Sequence, residues 1–429
     1  MTSNTKNRNK VELLAPVGNR EKLEIAIHYG ADAVYLAGKD FSLRNFSGNF
    51  SLPEMDEAIQ YAHKKNVKVF VACNIYSRNH EQDDITTYLK ALGKIKPDAV
   101  ILADPGLINL ALELIPEIDI HLSTQSNTTN FNTALFWKKL GIKRINTARE
   151  LPLKDISEIA EKSGMEVETF VHGAMCISYS GRCLLSSFMT NRDSNRGQCS
   201  HPCRWKYSVI EEQRPNEIHP IMEDSRGSYI FNSKDLSMIS HIPELIQSGI
   251  SSFKIEGRMK GINYLASSVK VFREAIDFWY EDPSSYHTKT EWVEELTRIN
   301  NREYCTGFFF GHPDETEPNY TDTRPGTIHR FIGKITETIG DNLVKVGVRN
   351  KIMVGDKIEA LCPQGPAIKD TVLGIINKKG EKTDVAQPNT EVTIRFNNTY
   401  QPNDLLRNAE EISYSTASAT RAPKKMIKA

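Results

Sequence analysis

The chain has no run of about 18 consecutive apolar residues, so no transmembrane helix is expected. Its first ten residues, MTSNTKNRNK, are polar and have no apolar centre, which argues against a secretory signal. Excess charge is also missing: 54 Lys and Arg balance 54 Asp and Glu. The whole chain is therefore not a nonspecific polyanion binder, and any nucleic-acid contact must come from a local patch. No internal repeat is visible, and neither H-E-x-x-H nor G-x-S-x-G occurs. Cysteine is sparse, at seven in 429 residues. These features point to a cytoplasmic protein with reduced thiols.

Strand-like and helix-like stretches alternate from Val11 to about Tyr280. The strands read VELLAPV, AVYLA, KVFVACNI, AVILA, DIHLST, RINTA, EVETFVHG and SSFKIEG. Helical patterns lie between them, one opening with Pro105 in its first turn. Eight strands at this length predict an α/β fold, a (β/α)8 TIM-like barrel. A long insertion, at about 173–236, follows the seventh strand and includes a hairpin pattern. The expected organisation is a disordered 1–10, a barrel over 11–280, and a helical connector and loop over 281–324. A small C-terminal β-barrel follows over 325–412, then a disordered basic tail over 413–429.

Four of the seven cysteines fall in the insertion. Cys176, Cys183, Cys199 and Cys203 are separated by six, fifteen and three residues. Four thiolates from one loop would surround a tetrahedral zinc or a [4Fe–4S] cluster. Zinc sites usually carry a close cysteine pair in each half, and here only Cys199 and Cys203 approach one. A cluster tolerates the wider, uneven spacing, and Gly173, Gly181 and Gly197 would let the backbone wrap close to it. Cys73, Cys305 and Cys362 are scattered and read as structural.

Active sites of such barrels lie at the C-terminal ends of the strands, and strand alternation selects inward-facing side chains. In SSFKIEG this picks Lys254 and Glu256, with Arg258 just beyond. In EVETFVHG it picks Glu168 and His172. His121, Ser123 and Gln125 follow from DIHLSTQ, and Ala72 and Asn74 from KVFVACN. Lys254, Glu256, Arg258 and His172 are the candidate catalytic residues. Arg258, like Arg149 and Glu150 after the sixth strand, suits recognition of a small dicarboxylate. The plainer readings are a structural ion pair for Lys254 and Glu256 and a hydrogen-bonded structural role for His172. Around the cysteines, Arg182, Arg192, Arg196, Arg204 and Lys206 face Asp193 alone, with Tyr179, Phe188 and Trp205 interspersed. Such a surface suits phosphates and an unpaired base, so Arg182 and Arg196 join Gln125, Asn74, Arg149 and Glu150 as candidate substrate-binding residues.

One segment, ETFVHGAMCISYSGRCLLS from Glu168 to Ser186, resembles the signature of peptidase family U32, the collagenase-like proteins. That signature is E-x-F-x-x-G-[SA]-apolar-C-x4-G-x-C-x-apolar-S, and every fixed position agrees. LLAPVGNREKLEIAIHYGADAVYLA, NSKDL and KIEGRMK also look like family sequence. The resemblance covers about 11–310, with the family's C-terminal β domain accounting for about 325–400. It implies a branch that hydroxylates RNA, with a [4Fe–4S] cluster on the four cysteines. Length and layout resemble the bacterial tRNA hydroxylation group. That group implies wobble uridine in the anticodon loop as substrate, 5-hydroxyuridine as product and prephenate as hydroxyl source. The alternatives are a peptidase using Cys176 or Cys183 with His172, an rRNA hydroxylase, and a non-enzymatic RNA-binding scaffold. No partner protein is readable.

Overall fold

A computed structural model describes residues 10–39, 41–42, 48–175, 178–204, 223–224, 227–228, 234–299, 304–311, 330–340 and 342–409. Two compact units divide the chain. One comprises Met1–Gly326 with Cys362–Pro366, the other Thr327–Leu361 with Ala367–Ala429.

The first unit is a closed barrel of eight parallel strands. They are β1 (Glu12–Pro16), β2 (Ala33–Ala37), β3 (Lys68–Ala72), β4 (Ala99–Leu102), β5 (Asp119–Leu122), β6 (Arg144–Asn146), β7 (Glu166–Ala174) and β8 (Ser252–Ile255). β8 pairs with β7 on one side and β1 on the other, which closes the ring. Nearly every strand residue is buried, as expected of a parallel sheet covered by helices. The covering helices are α1 (Arg20–His28), α2 (Leu52–His63), α3 (Gln82–Ile95), α4 (Pro105–Leu114), α5 (Phe131–Lys139), α6 (Leu153–Ser163), α8 (Ile242–Gln247) and α9 (Ile262–Glu281); α7 (Leu185–Thr190) belongs to the insertion. Local sequence sets their starts. Asp104 caps α4 by accepting from the backbone of Gly106 and Leu107, with Pro105 in the first turn. Ser51 and Glu54 form a reciprocal capping box on α2.

The barrel interior is chemically divided. From β1 to β4 it is mostly apolar, built on Leu14, Tyr35, Phe70, Ala72 and Ile101. From β5 to β8 it is polar, with His121, Arg144, Asn146, Glu168 and Lys254 all buried. Buried charges need partners, and these form a ladder. Arg144 contacts Glu12 at 2.5 Å, Glu166 at 2.9 Å and Glu168 at 3.5 Å, and Glu168 in turn takes Lys254 at 2.7 Å. Burial alone would lower the pKa of Arg144, but Glu12 and Glu168 more than reverse this.

β7 outlasts the ring. Its last residues, His172 to Ala174, pair antiparallel with the strand Asp235–Ser237 where the insertion returns. That strand is joined in turn by Tyr304–Cys305. Of the hairpin pattern expected in the insertion, 205–222 lies outside the described residues, and a two-residue pairing joins Glu223–Asp224 to Gly227–Ser228. Within the expected helical connector lies α10 (Thr290–Thr297), and Trp292 donates to Glu274 of α9. Among the described residues no helix is long and apolar enough to cross a membrane.

The second unit is an eight-stranded antiparallel sheet whose ladder runs from Ile368–Thr371 to Lys382–Thr383. Its interior holds a buried pair, Arg407 and Glu359, at 3.0 Å. The Asp370 carboxylate accepts from Tyr400 at 2.7 Å and from the backbone of Asn397 and Asn398.

Candidate active site

At the C-terminal end of the barrel lies a chamber of about 80 Å3. Asn74, Gln125, Arg149, Lys254, Glu256 and Arg258 all line it, so six of the candidate catalytic and substrate-binding residues come together there, with Ala72 and Ser123 beside them. Each is held by a neighbour. Lys254 Nζ lies 4.6 Å from the Tyr35 ring centre and 5.4 Å from that of Phe170. Glu256 accepts from the Tyr35 hydroxyl at 3.1 Å and from the Gly257 N–H at 2.6 Å. Arg149 lies 3.9 Å over Phe170 and donates to the Ala174 carbonyl at 3.1 Å. Arg258 is buried and donates to Ser42, while its carbonyl accepts from Lys22 at 2.7 Å. Three cationic side chains and one carboxylate thus line one small space, a setting suited to a compact anion.

A second chamber, about 210 Å3, adjoins the first and is lined by Cys183, Cys199 and Cys203. Arg149, Ser180 and Glu256 line both chambers. Local conformation and hydrogen bonds shape the insertion around this chamber. Gly173, Gly181 and Gly197 all have positive φ, at 110°, 76° and 85°. Ser186, Thr190 and Ser200 share hydroxyl hydrogen bonds at 2.9 and 3.0 Å, which tie α7 to the Cys199 stretch. Ser194 and Asn195 both donate to the Cys183 carbonyl. Cys176 lies outside the described residues but directly follows Met175, which lines the thiol chamber. Among the described residues, no three His, Cys, Asp or Glu side chains meet at a single-ion site. Cys183, Cys199 and Cys203 are the described thiols that a metal or cluster in this chamber would draw on.

Other sequence-chosen residues fall elsewhere. His172 does not face the barrel mouth. Its ring is completely buried between strand and helix, with ring centres 5.6 Å from Tyr264, 5.5 Å from Phe272 and 5.3 Å from Tyr304. The register between β7 and β8 shifts at Lys254 and Ile255, so strict alternation fails there. Burial pushes the His172 imidazole down to about 3. Glu150 lines neither chamber but an outer cleft of about 1100 Å3 with Tyr179 and Phe308 to Phe310. Burial raises its carboxyl pKa there. Arg196 is not free for phosphate; it binds Glu81 and the Tyr76 carbonyl and fastens the insertion to the barrel. Arg182 lines neither chamber. Phe188 and Tyr179 are exposed, the former at 86%.

Residues the sequence did not single out also matter. Asn146, Tyr35 and Phe170 line the upper chamber, and Arg144 anchors the ladder beneath it. Their signal lay only in long-range pairing, because β6 is three residues long and its partners come from β1 and β7.

Barrel and insertion together define a TIM-like protein whose mouth is capped by a thiol-bearing loop. Residues 18–319 match peptidase family U32, and 328–407 match the peptidase family U32 C-terminal domain, so the chain belongs to that family. The tRNA hydroxylation protein P1 of Bacillus subtilis is 39% identical over 400 residues, covering 93% of this chain and 94% of the relative. The Escherichia coli tRNA hydroxylation protein P is 37% identical over 418 residues, covering 88% and 91%. A 23S rRNA 5-hydroxycytidine synthase from Escherichia coli is 30% identical over 388 residues, 88% of this chain and 56% of that one.

Proposed function

We propose that this chain is an RNA hydroxylase that converts a wobble uridine in a tRNA anticodon loop to 5-hydroxyuridine. The relatives named for tRNA hydroxylation, each spanning most of the chain, set the class of reaction. The observation that carries the reading is the shared wall: Arg149, Ser180 and Glu256 line both the cationic chamber and the thiol chamber. A reacting group in one lies beside whatever the cysteines hold in the other.

Cys176, Cys183, Cys199 and Cys203 would hold a [4Fe–4S] cluster, which supplies one-electron redox chemistry when bound. The hydroxyl donor is a small dicarboxylate such as prephenate, its carboxylates taken by Arg149 and Arg258 beside Lys254. Net exchange replaces the hydrogen on carbon 5 of the uracil with the donor's hydroxyl, and the donor leaves carrying hydrogen in its place. The base loses two electrons and the donor gains two. Lys254, held by Glu168, and Glu256, held by Tyr35, orient the reactants and carry protons at the chamber wall. Exposed Tyr179 and Phe188 on the insertion offer stacking faces to loop nucleotides. An anticodon uridine is already unpaired, so little unstacking is required. The cysteine–histidine pairing that a peptidase reading would take from His172 is not formed, because that ring is sealed among aromatic rings.

The test combines anaerobic purification, iron and sulfide analysis, and mass spectrometry of tRNA nucleosides from a strain lacking the gene. Four irons per chain and loss of 5-hydroxyuridine, restored by the wild-type gene, are expected. Zinc in place of iron with unchanged tRNA nucleosides would overturn the reading. Loss of an rRNA nucleoside instead would move the substrate to rRNA.

A further inference from the structure

We propose that Phe188 inserts between the bases of an RNA loop and holds open the gap left by the uridine drawn toward the chambers, while Arg182 and Arg192 take the flanking phosphates. This deepens the hydroxylation reading above and rests on it.

The two sides of α7 differ. Ser186 and Thr190, one turn apart, both bond the Ser200 hydroxyl, at 3.0 and 2.9 Å. Thr190 also donates to the Ser186 carbonyl, so this side is tied down. Leu184 and Phe188 form the next pair one turn apart, joined by the Phe188 N–H donating to the Leu184 carbonyl. They are offset from the two hydroxyls by two positions, about 200° around a helix, and so form a ridge on the opposite side. Leu184 is 59% exposed, Phe188 86% and the adjacent Met189 47%. Apolar side chains scattered singly over a surface are ordinary. Three within six residues, held from behind by hydroxyl bonds, mark a contact surface.

The charge beside the ridge selects nucleic acid. Arg182 and Arg192 bracket it, and both are exposed. No acidic residue lies between Ser178 and Arg192. The next residue, Asp193, lies 3.9 Å from Arg78, whose own side chain is largely exposed. An aromatic ridge between cations fits a single strand, whose bases stack and whose phosphates are negative. Position then makes Phe188 a wedge. Cys183 lines the thiol chamber and immediately precedes Leu184, so Phe188 stands roughly 8 Å along the helix from that wall. A base that leaves its loop for a protein pocket opens a gap in the stack, and an inserted apolar side chain keeps the gap from closing.

The test uses the anaerobically purified full-length protein and an anticodon stem-loop RNA with uridine at the wobble position and 2-aminopurine beside it. At saturating wild-type protein the 2-aminopurine is expected to brighten as its stack opens. Phe188→Ala is expected to bind this RNA about 10-fold more weakly and to leave the fluorophore dim at saturation, while Phe188→Trp restores binding to within about 2-fold. That rescue separates a lost wedge from a damaged helix. Arg182→Gln and Arg192→Gln should each lower the slope of log affinity against log salt by about 0.7, with brightening kept in the bound complex. A fully paired RNA duplex of equal length should show no dependence on residue 188. Brightening by Phe188→Ala equal to that of the wild type overturns the inference and leaves the ridge to a protein partner. An equal loss of duplex affinity in Phe188→Ala overturns it too. In both of these cases 5-hydroxyuridine formation by the wild-type protein leaves the hydroxylation reading standing. Unchanged tRNA nucleosides in the deletion strain would remove both.

Discussion

Lys254 Nζ lies 2.7 Å from Glu168 Oε1 inside the barrel, with the two side chains 5% and 3% exposed. This pair joins the charge ladder below to the reactive chamber above. Removing Glu168 would leave Lys254 and Arg144 each short of a carboxylate in a site closed to water. Glu168→Ala is expected to cost about 3–5 kcal/mol of stability. Urea unfolding would measure it, and a midpoint equal to the wild type would remove the ladder from the stability argument.

The thiol chamber predicts a linked loss. Cys199→Ala should lower iron and sulfide together and abolish the modified nucleoside, while far-UV circular dichroism of the barrel stays close to wild type. By contrast, Cys73→Ala should leave iron content unchanged, because Cys73 is sealed in the barrel and its thiol is pushed up to about 12 by burial. Iron loss in the Cys73 variant would argue against the four-cysteine assignment.

Gly173 stands where β7 passes closest to the end of β8. Its φ is 110°, and an added Cβ would lie 2.4 Å from the Glu256 carbonyl oxygen. Gly173→Ala must bend one of the two strands. A stability loss of about 1–3 kcal/mol or more is expected from the backbone conformation alone. Since the atom displaced belongs to Glu256, kcat should fall too. A variant with unaltered urea midpoint and rate would contradict this geometry.

His172 makes an acid-side prediction. The unfolded chain takes up its proton near pH 6.5, the folded chain only near 3. The stability that the neutral ring contributes is complete above about pH 6.5. It falls by about 1.4 kcal/mol per unit as the pH drops toward 3, because protons bind the unfolded state preferentially. His172→Phe should flatten the stability profile over that window. Parallel profiles for the two proteins would show that the ring does not titrate as described.

The barrel was legible because each strand carries its own Val, Ile or Leu run and each helix start its own cap. Lys254 and Glu256 were legible for a related reason: β8 alternates cleanly up to Lys254, and both line the chamber. His172 was not, because the register shift beside it and the left-handed Gly173 after it break the count by twos. Glu150 diverges from Arg149 because β6 ends at Asn146, and beyond it no alternation exists to follow. Arg196 read as a phosphate ligand because nothing in its neighbourhood of sequence announces Glu81, 115 positions away. Asn146 was invisible for the same reason, since its role comes from Glu168 on the neighbouring strand.

The antiparallel pairing of Ala174 with Asp235 places the departure and the return of the long insertion side by side. The ring of strands therefore has a stitched seam at the base of that excursion. A loop that leaves and returns at neighbouring backbone positions closes at an entropic cost that grows only slowly with its length.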